Sequence, residues 1–130
     1  MAEPKWLRRD AVEALHDMAI ATFGGLPGLR DAGLLESALA RPRQLRAYES
    51  ADPFRLAAAY AGGMVRNHPF ADGNKRIGFM AAGVFLHLNG WSLDAPETEA
   101  AIMMRGLAAG EIPEDAFAGW LRDNSKEADA

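Results

Sequence analysis

The sequence predicts an all-α fold, a compact bundle of about six helices, and three observations support that class. The composition is 49% hydrophobic with many alanines and few β-branched residues, which favours helices over strands. Apolar residues recur at helical spacing. Aspartate, proline and glycine stand where such stretches begin or end. A length of 130 residues fits one domain, spanning residues 1–130, with a substantial core.

Two helices are predicted in the first third of the chain. Asp10 can cap the first, which would end at Gly24-Gly25. Its buried face would carry Val12, Leu15, Ala19 and Phe23. Asp31 can cap the second, and Pro42 is expected to end it because proline breaks a helix interior. Residues 42–51 are therefore expected to be irregular.

The third and fourth predicted helices lie in the middle of the chain. Asp52-Pro53 is a cap followed by a proline suited to a first helical position, and this helix would reach about Arg66. An apolar run from Ile77 to Leu88 indicates a buried helix, which Asn89-Gly90 would close. Because both are nearly apolar along their lengths, we expect them to pack together at the bundle centre.

The last third of the chain predicts two further helices and an unstructured end. The fifth helix would open between Asp94 and Glu97 and reach about Ala109. Pro113 would start the sixth. Residues 124–130 are expected to be frayed.

Composition also excludes several classes of protein. The chain has no cysteine, so it has neither disulfides nor thiolate metal sites. It lacks a signal peptide and a stretch of about 20 uncharged apolar residues, so we expect a cytoplasmic protein without a membrane partner. A net charge of −4 and a pI near 5.3 argue against nucleic acid as a direct partner.

The most informative segment runs from His68 to Arg76, immediately before the apolar part of the fourth helix. It therefore lies where free backbone N–H groups and the positive end of the helix dipole form an anion site. Gly73 permits close approach of a ligand, and Lys75 and Arg76 suit phosphates. These features favour phosphoryl or nucleotidyl transfer.

Two side chains in this segment suit the chemistry of such a reaction. Asp72 offers hard oxygen ligands for Mg²⁺. His68 has an ordinary pKa near neutrality, which suits a general base. His16 and His87 lie in helical runs instead and are expected to be packing residues.

A purely structural interpretation of the segment is also available. Asp72 could cap a buried helix, His68 could be a loop residue, and two cations could form a solvated first turn. The helix dipole, however, repels cations at this end. Adjacent cations beside a histidine therefore favour an anionic ligand.

The segment His68-Pro69-Phe70-Ala71-Asp72-Gly73-Asn74-Lys75-Arg76 resembles the motif of the Fic family, and Asn74-Lys75-Arg76 resembles its Doc branch. Further likenesses to Doc, in the same order, lie at Leu15-His16-Asp17, from Phe23 to Gly28, and at Ala47-Tyr48-Glu49. The resemblance covers nearly the whole chain. It implies a compact helical fold with a small flap loop or hairpin over the active site.

The resemblance implies a role for each residue of the motif. His68 would deprotonate a protein hydroxyl, and Phe70 would anchor the loop in the core. Asp72 would hold Mg²⁺. ATP phosphates would be bound by Gly73, Asn74, Lys75 and Arg76. The catalytic set is then His68, Asp72, Asn74, Lys75 and Arg76.

Two departures from the ordinary Fic pattern bear on the reaction. Lys75 replaces a glycine, and Phe79 replaces a second arginine. In Doc the lysine accompanies ATP bound in the reverse sense, with its γ-phosphate toward the histidine. The resemblance therefore implies a kinase that phosphorylates a protein target, elongation factor Tu. Gly73 matches ordinary Fic, so transfer of AMP remains an alternative, as does a catalytically silent antitoxin-binding module.

Two further expectations concern partners. Arg43, Arg46 and Tyr48 lie where the flap would hold the target, although the segment could also be a solvated loop. The chain lacks the (Ser/Thr)-x-x-x-Glu-(Gly/Asn) sequence of self-inhibited Fic proteins. Inhibition would then come in trans, from a small antitoxin whose C-terminal segment folds into a groove.

Overall fold

A computed structural model describes residues 3–128, which form six helices and one two-stranded antiparallel sheet. The helices are α1 (Arg9–Phe23), α2 (Ala32–Tyr48), α3 (Pro53–Asn67), α4 (Asn74–Leu88), α5 (Glu97–Ala109) and α6 (Glu114–Asp123). The strands are β1 (Trp91–Leu93) and β2 (Ser125–Glu127), and Ser92 pairs with Lys126. The predicted all-α class is confirmed.

Helix α3 forms the centre of the bundle. The Asp52 carboxylate accepts a hydrogen bond from the Arg55 amide, as the sequence predicts for this start. From Leu56 to Val65 every residue of α3 is buried, and the helix packs against α2, α4, α5 and α6. The predicted pairing of α3 with α4 is confirmed. No helix among residues 3–128 is long and apolar enough to cross a membrane.

Helix α2 begins as predicted but does not end at Pro42. Asp31 caps it by accepting from the Leu34 amide, yet the helix continues through Pro42 to Tyr48. Pro42 is buried, and the preceding turn packs so closely on α3 that a Cβ on Gly63 would lie 3.1 Å from Ala38 Cβ. This packing, together with good helix formers after Pro42, outweighs the lost hydrogen bond.

Two details of α1 also differ from the prediction. Arg8, not Asp10, is the N-cap, and the Asp10 carboxylate instead lies in the first turn, where it bonds Arg8 and the Ala11 amide. Phe23 was expected on the buried face, but it is 59% exposed. The helix ends as predicted at Gly24, so Phe23 projects from the last turn beside the loop before α4.

The C-terminal third confirms two helices and corrects the expected fraying. Helices α5 and α6 occupy the predicted ranges, and Gly110 closes α5 in a left-handed conformation. Residues 125–127, however, form β2 against β1, so the expected fraying of 124–128 is wrong. A short polar strand has no apolar alternation to predict it, and here β2 is stabilised by pairing with β1 and by a hydrogen bond from the Ser125 hydroxyl to the Leu121 carbonyl. Residues 129–130 lie outside the described range.

Both ends of the described chain are attached to the turn that follows α4. The Lys5 amide donates to Asn89 Oδ1 over 2.8 Å, and Asn89 Nδ2 donates back to the Lys5 carbonyl over 3.0 Å. The Ala128 amide donates to the Gly90 carbonyl over 2.9 Å. This turn lies at the end of α4 opposite the polar segment, and the whole length of the helix separates the two.

Candidate active site

The polar segment forms the tight connection between α3 and α4. His68 closes α3 in a left-handed conformation, with φ 49° and ψ 56°, and its amide donates to the Met64 carbonyl. No other non-glycine residue among 3–128 has a positive φ. The exposed imidazole therefore projects from a sharp reversal of the backbone toward the start of α4.

Asn74 links the two sides of this connection. Its side chain accepts from the Phe70 amide over 3.1 Å and donates to the Phe70 carbonyl over 3.0 Å, which fixes the amide orientation. The NH₂ group also faces His68 Nδ1 at 3.4 Å. Because an amide NH₂ can only donate, this contact favours the neutral imidazole tautomer whose lone pair lies on Nδ1. Asn74 is itself buried, at 7% exposure.

Phe70 holds the connection in the core. Its ring is buried and stacks on the His16 ring, with centroids 3.8 Å apart and planes inclined by 10°. His16 Nε2 lies 2.8 Å from the Asp72 carbonyl oxygen. His16 is thus a packing residue, as expected, and it also fixes the backbone beside Asp72. His87 was expected to pack as well, but it is exposed in the last turn of α4.

The Asp72 carboxylate is held by two backbone amides. Leu26 donates to Oδ2 over 3.1 Å, and Gly73 donates to Oδ1 over 2.9 Å. These bonds, with the nearby charge of Arg76, hold the pKa of Asp72 below its usual value. Gly25 permits the approach, because a Cβ there would lie 2.8 Å from Oδ2. The side chain is exposed and ionised, as a magnesium ligand must be.

The first turn of α4 presents unpaired amides. Gly73 is its N-cap, with φ 78°, and no side chain caps the helix. The N–H groups of Asn74, Lys75 and Arg76 find no acceptor among residues 3–128, and the first amide bonded to the connection is that of Ile77, to the Gly73 carbonyl. Such a turn attracts anions.

Two cations flank these amides, and neither forms a salt bridge among residues 3–128, although the charge of Arg76 acts on the Asp72 carboxylate. Lys75 is exposed. The guanidinium of Arg76 lies over the Phe23 ring, 4.2 Å from its centroid. The structure thus gathers His68, Asp72, Gly73, Asn74, Lys75 and Arg76 on one short loop and one helical turn.

The α1–α2 connection, which includes most of the Doc-like segment from Phe23 to Gly28, forms the other wall of this site, a role that was not predicted. Its backbone pairs with the motif through a bridge between Leu29 and Phe70 and through a bond from the Ala71 amide to the Gly28 carbonyl. Arg30 donates from its side chain to the His68 carbonyl. Backbone donors carry no signal in a sequence, and Arg30 lies just after the Doc-like segment that ends at Gly28, where nothing marks its contact with His68.

The residues assigned to a flap lie on α2 instead of on a loop or hairpin. Arg43 lies over the Trp6 ring at 5.4 Å, and Arg46 donates to the Ala51 carbonyl over 3.4 Å. Tyr48 ends α2 and is 90% exposed. The expected irregular segment 42–51 is therefore wrong for residues 42–48, which are helical. Only residues 49–52 separate α2 from α3.

A cluster of ion pairs anchors the far side of α3. The Glu114 carboxylate, 9% exposed, pairs with Arg41 at 2.7 Å, Arg55 at 3.1 Å and also Arg66. Burial alone would raise the pKa of Glu114, but hydrogen bonds from Arg41 and Arg66 hold it below its usual range. Arg66 lies two residues before His68, so this cluster supports the end of α3.

The residues around Asp72 suit a magnesium ion that is shared with a ligand. No group of three or more histidine, aspartate or glutamate side chains converges in the part of the chain described here. Asp72 would therefore be one of few protein ligands, and phosphate oxygens and water would complete the shell, as is usual for Mg²⁺. Both carboxylate oxygens retain lone pairs for this purpose, since each accepts a single N–H.

Comparison with known proteins agrees with this arrangement. The model of the Fic/DOC family matches residues 6–86. "Protein kinase doc" of Escherichia phage P1 is 40% identical over 111 residues, which cover 84% of this chain and 86% of the relative. "Toxin Doc" of Mycolicibacterium smegmatis is 39% identical over 103 residues, or 76% of this chain and 79% of the relative. The chain therefore belongs to the Fic/Doc family.

Proposed function

We propose that this chain is the toxin of a toxin–antitoxin pair and a Doc-type kinase, which transfers the γ-phosphate of ATP to a protein hydroxyl. One observation carries the proposal. A histidine, an ionised aspartate, three unpaired amides and two cations converge at the start of α4. The names of its relatives, a protein kinase and a toxin, support it.

The triphosphate would bind along the first turn of α4. The amides of Asn74, Lys75 and Arg76 would donate to phosphate oxygens, and the two side-chain cations would neutralise their charge. Gly73 leaves this approach open. Asp72 would hold Mg²⁺, which supplies charge neutralisation and alignment of the phosphates when bound.

His68 would act as the general base. Its lone pair on Nδ1 faces Asn74 over 3.4 Å, a long contact that an arriving hydroxyl can displace. The hydroxyl proton would pass to that nitrogen as the hydroxyl oxygen attacks the γ-phosphorus. The bond between the γ-phosphorus and its bridging oxygen would break, and ADP would leave with the electron pair.

Lys75 favours phosphate transfer over AMP transfer. Its side chain stands in place of a glycine and would crowd a phosphate placed as in ordinary Fic enzymes. It is free to contact a triphosphate bound in the reverse sense, since it has no ion-pair partner among residues 3–128. Phe79 fills the place of the second arginine, and its half-buried ring packs near Trp120, with centroids 6.2 Å apart. No guanidinium is therefore present there to support the AMP-transfer pose.

The target and the inhibitor follow from the family resemblance. We propose a threonine of elongation factor Tu as the acceptor. The residues expected to hold the target, Arg43, Arg46 and Tyr48, lie toward the end of α2 that leads into α3, and the length of α3 separates them from His68. A small antitoxin would inhibit the chain in trans by occupying a groove, and both proteins would act in the cytoplasm.

Intact-mass analysis of elongation factor Tu after incubation with the protein and Mg-ATP tests the proposal. A gain of about 80 Da signifies phosphate, and about 329 Da signifies AMP, two reactions that share most active-site parts. We expect the smaller gain. A gain of about 329 Da would establish AMP transfer, and no gain with any tested protein target would favour a silent antitoxin-binding module.

A further inference from the structure

We propose that Arg30 is a positioning residue for His68, and this inference rests on the proposed function. Arg30 lies in the α1–α2 connection and does not touch the first turn of α4. Its side chain reaches the carbonyl end of α3, where it fixes the backbone from which the His68 imidazole projects. Arg30 therefore binds the protein backbone and not the substrate, and it would affect the reaction only by positioning His68.

Arg30 and its neighbour bind three consecutive carbonyls at the end of α3. Arg30 Nε donates to the His68 oxygen over 2.7 Å, and Nη2 donates to the Asn67 oxygen over 3.0 Å. The Arg30 and Asp31 amides both donate to the Pro69 oxygen, over 2.7 and 3.0 Å. Terminal carbonyls of a helix carry the negative end of its dipole, so a guanidinium is well suited to them.

These bonds stabilise an unfavourable backbone conformation. His68 has φ 49°, in the left-handed region where a Cβ crowds the following carbonyl. The conformation persists only where its surroundings impose it. The His68 amide is bonded within α3 to Met64, whereas its carbonyl is bonded to Arg30. Without the guanidinium, the His68 carbonyl loses its hydrogen bond, so the residue can relax toward a negative φ, and the imidazole then leaves Asn74.

The effect should be confined to the base. Asp72 is held by Leu26, Gly73 and His16, and the α4 amides need no help from Arg30. Loss of the Arg30 side chain should therefore lower kcat and leave KM for ATP little changed. A displacement of about 1 Å at a reacting group typically costs up to about 100-fold in rate.

The experiment compares Arg30→Ala and Arg30→Lys with Arg105→Ala, a control that removes an exposed arginine from α5. We expect kcat for phosphate transfer to fall about 10- to 100-fold in both Arg30 variants. Lysine keeps the charge but cannot bind two carbonyls at once. Added guanidinium ion should partly restore Arg30→Ala, and it should not accelerate the control.

A second readout needs no reaction. The three-bond coupling between the amide and α protons of His68 reports φ, and it should change in the Arg30 variants and stay constant in Arg105→Ala. An unchanged coupling in folded Arg30→Lys would overturn the proposal, as would a fall in kcat matched by an equal rise in KM for ATP. If the wild type transfers no phosphate, the proposed function fails, and the coupling still decides the role of Arg30.

Discussion

The Asp72 carboxylate accepts a hydrogen bond from the backbone amide of Leu26, which lies 46 residues earlier in the chain. The bond joins the loop after α1 to the motif before α4, and it keeps the carboxylate ionised. The environment of the carboxylate that we propose to hold magnesium therefore comes partly from a segment outside the motif.

The closeness of this loop predicts that Gly25→Ala weakens Mg-ATP binding. The new methyl group would lie 2.8 Å from Asp72 Oδ2 and displace the carboxylate from the Leu26 amide. Gly24→Ala is the matched control, since it also has a positive φ but no atom within 4 Å of the added Cβ. Calorimetry should show weaker binding for Gly25→Ala, and equal affinities in the two variants would contradict the idea.

The same contact predicts how Asp72 titrates. Its pKa is lowered, chiefly by the Leu26 amide, so the wild-type carboxyl should titrate below 3.8. The stability it contributes is present above that unfolded value and is lost as pH falls through the folded pKa. In Gly25→Ala the carbon-detected NMR titration of Asp72 should move upward toward 3.8, and in Gly24→Ala it should not.

The His68 assignment predicts that His68→Ala abolishes most of the transfer. Loss of a general base typically costs about 10²- to 10⁴-fold in rate. The fold should persist because the side chain is exposed, and Mg-ATP affinity should be nearly unchanged. His87→Ala, which removes an exposed histidine at the opposite end of α4, should keep full activity. Full activity of folded His68→Ala would refute the role of His68.

Lys75 is predicted to set which phosphorus of ATP is attacked. Lys75→Gly removes the cation that would stabilise the negative charge developing in the transition state, and it should slow phosphate transfer by roughly 10²- to 10³-fold. Lys75→Arg retains the charge and should lose less. Intact mass shows the outcome, because the space freed beside Asn74 should permit weak AMP transfer. Unaltered phosphate transfer by Lys75→Gly would remove Lys75 from the mechanism.

Restoring the missing arginine tests the same idea from a second position. The double change Lys75→Gly with Phe79→Arg should transfer AMP better than Lys75→Gly alone. Phe79 is half-buried near Trp120, so its replacement should also destabilise the fold, by about 1–3 kcal/mol if typical of such losses. The melting temperature of each variant separates this cost from the change of reaction. If the double variant adds phosphate but no AMP to the target protein, the role given to Lys75 is contradicted.

The ion-pair cluster predicts that Glu114→Gln destabilises the protein by about 1–3 kcal/mol, since three guanidinium groups lose their shared carboxylate. The estimate is modest because the arginines are partly exposed. Glu111→Gln, an exposed neighbour, should have little effect. The pKa of Glu114 is lowered in the folded protein. The difference between wild type and variant in the free energy of unfolding, measured with urea, should therefore vanish as pH falls through that folded pKa. A constant difference down to acid pH would point to packing instead.

The sequence predicted those parts of the fold that local signals specify. Asp31, Asp52 and Gly110 bound helices where caps and closures of their types are expected. The predictions at Pro42 and at β2 were wrong because tertiary contacts decide the structure there. The helix around Pro42 packs closely on α3, and β2 pairs with β1. Propensity is a weak guide where such contacts act.

The candidate site likewise has one part that the sequence predicts and another part that it does not. Its motif residues are contiguous, so the sequence alone brings them together. The contributions of Leu26 and Arg30 depend on a bridge between distant segments, and Leu26 acts through its backbone N–H, which every residue type except proline carries. No pattern within one sequence marks such a partner.

The attachment of both chain ends to the Asn89-Gly90 turn has a practical consequence. The 15-residue helix α4 is about 22 Å long, and it separates this turn from the loop that carries His68. Dyes, affinity handles or surface linkers placed near Lys5 or Ala128 therefore project from the far pole of the molecule. A protein immobilised through either position would present His68 to the surrounding solution, so single-molecule or surface-based binding assays can use both orientations interchangeably.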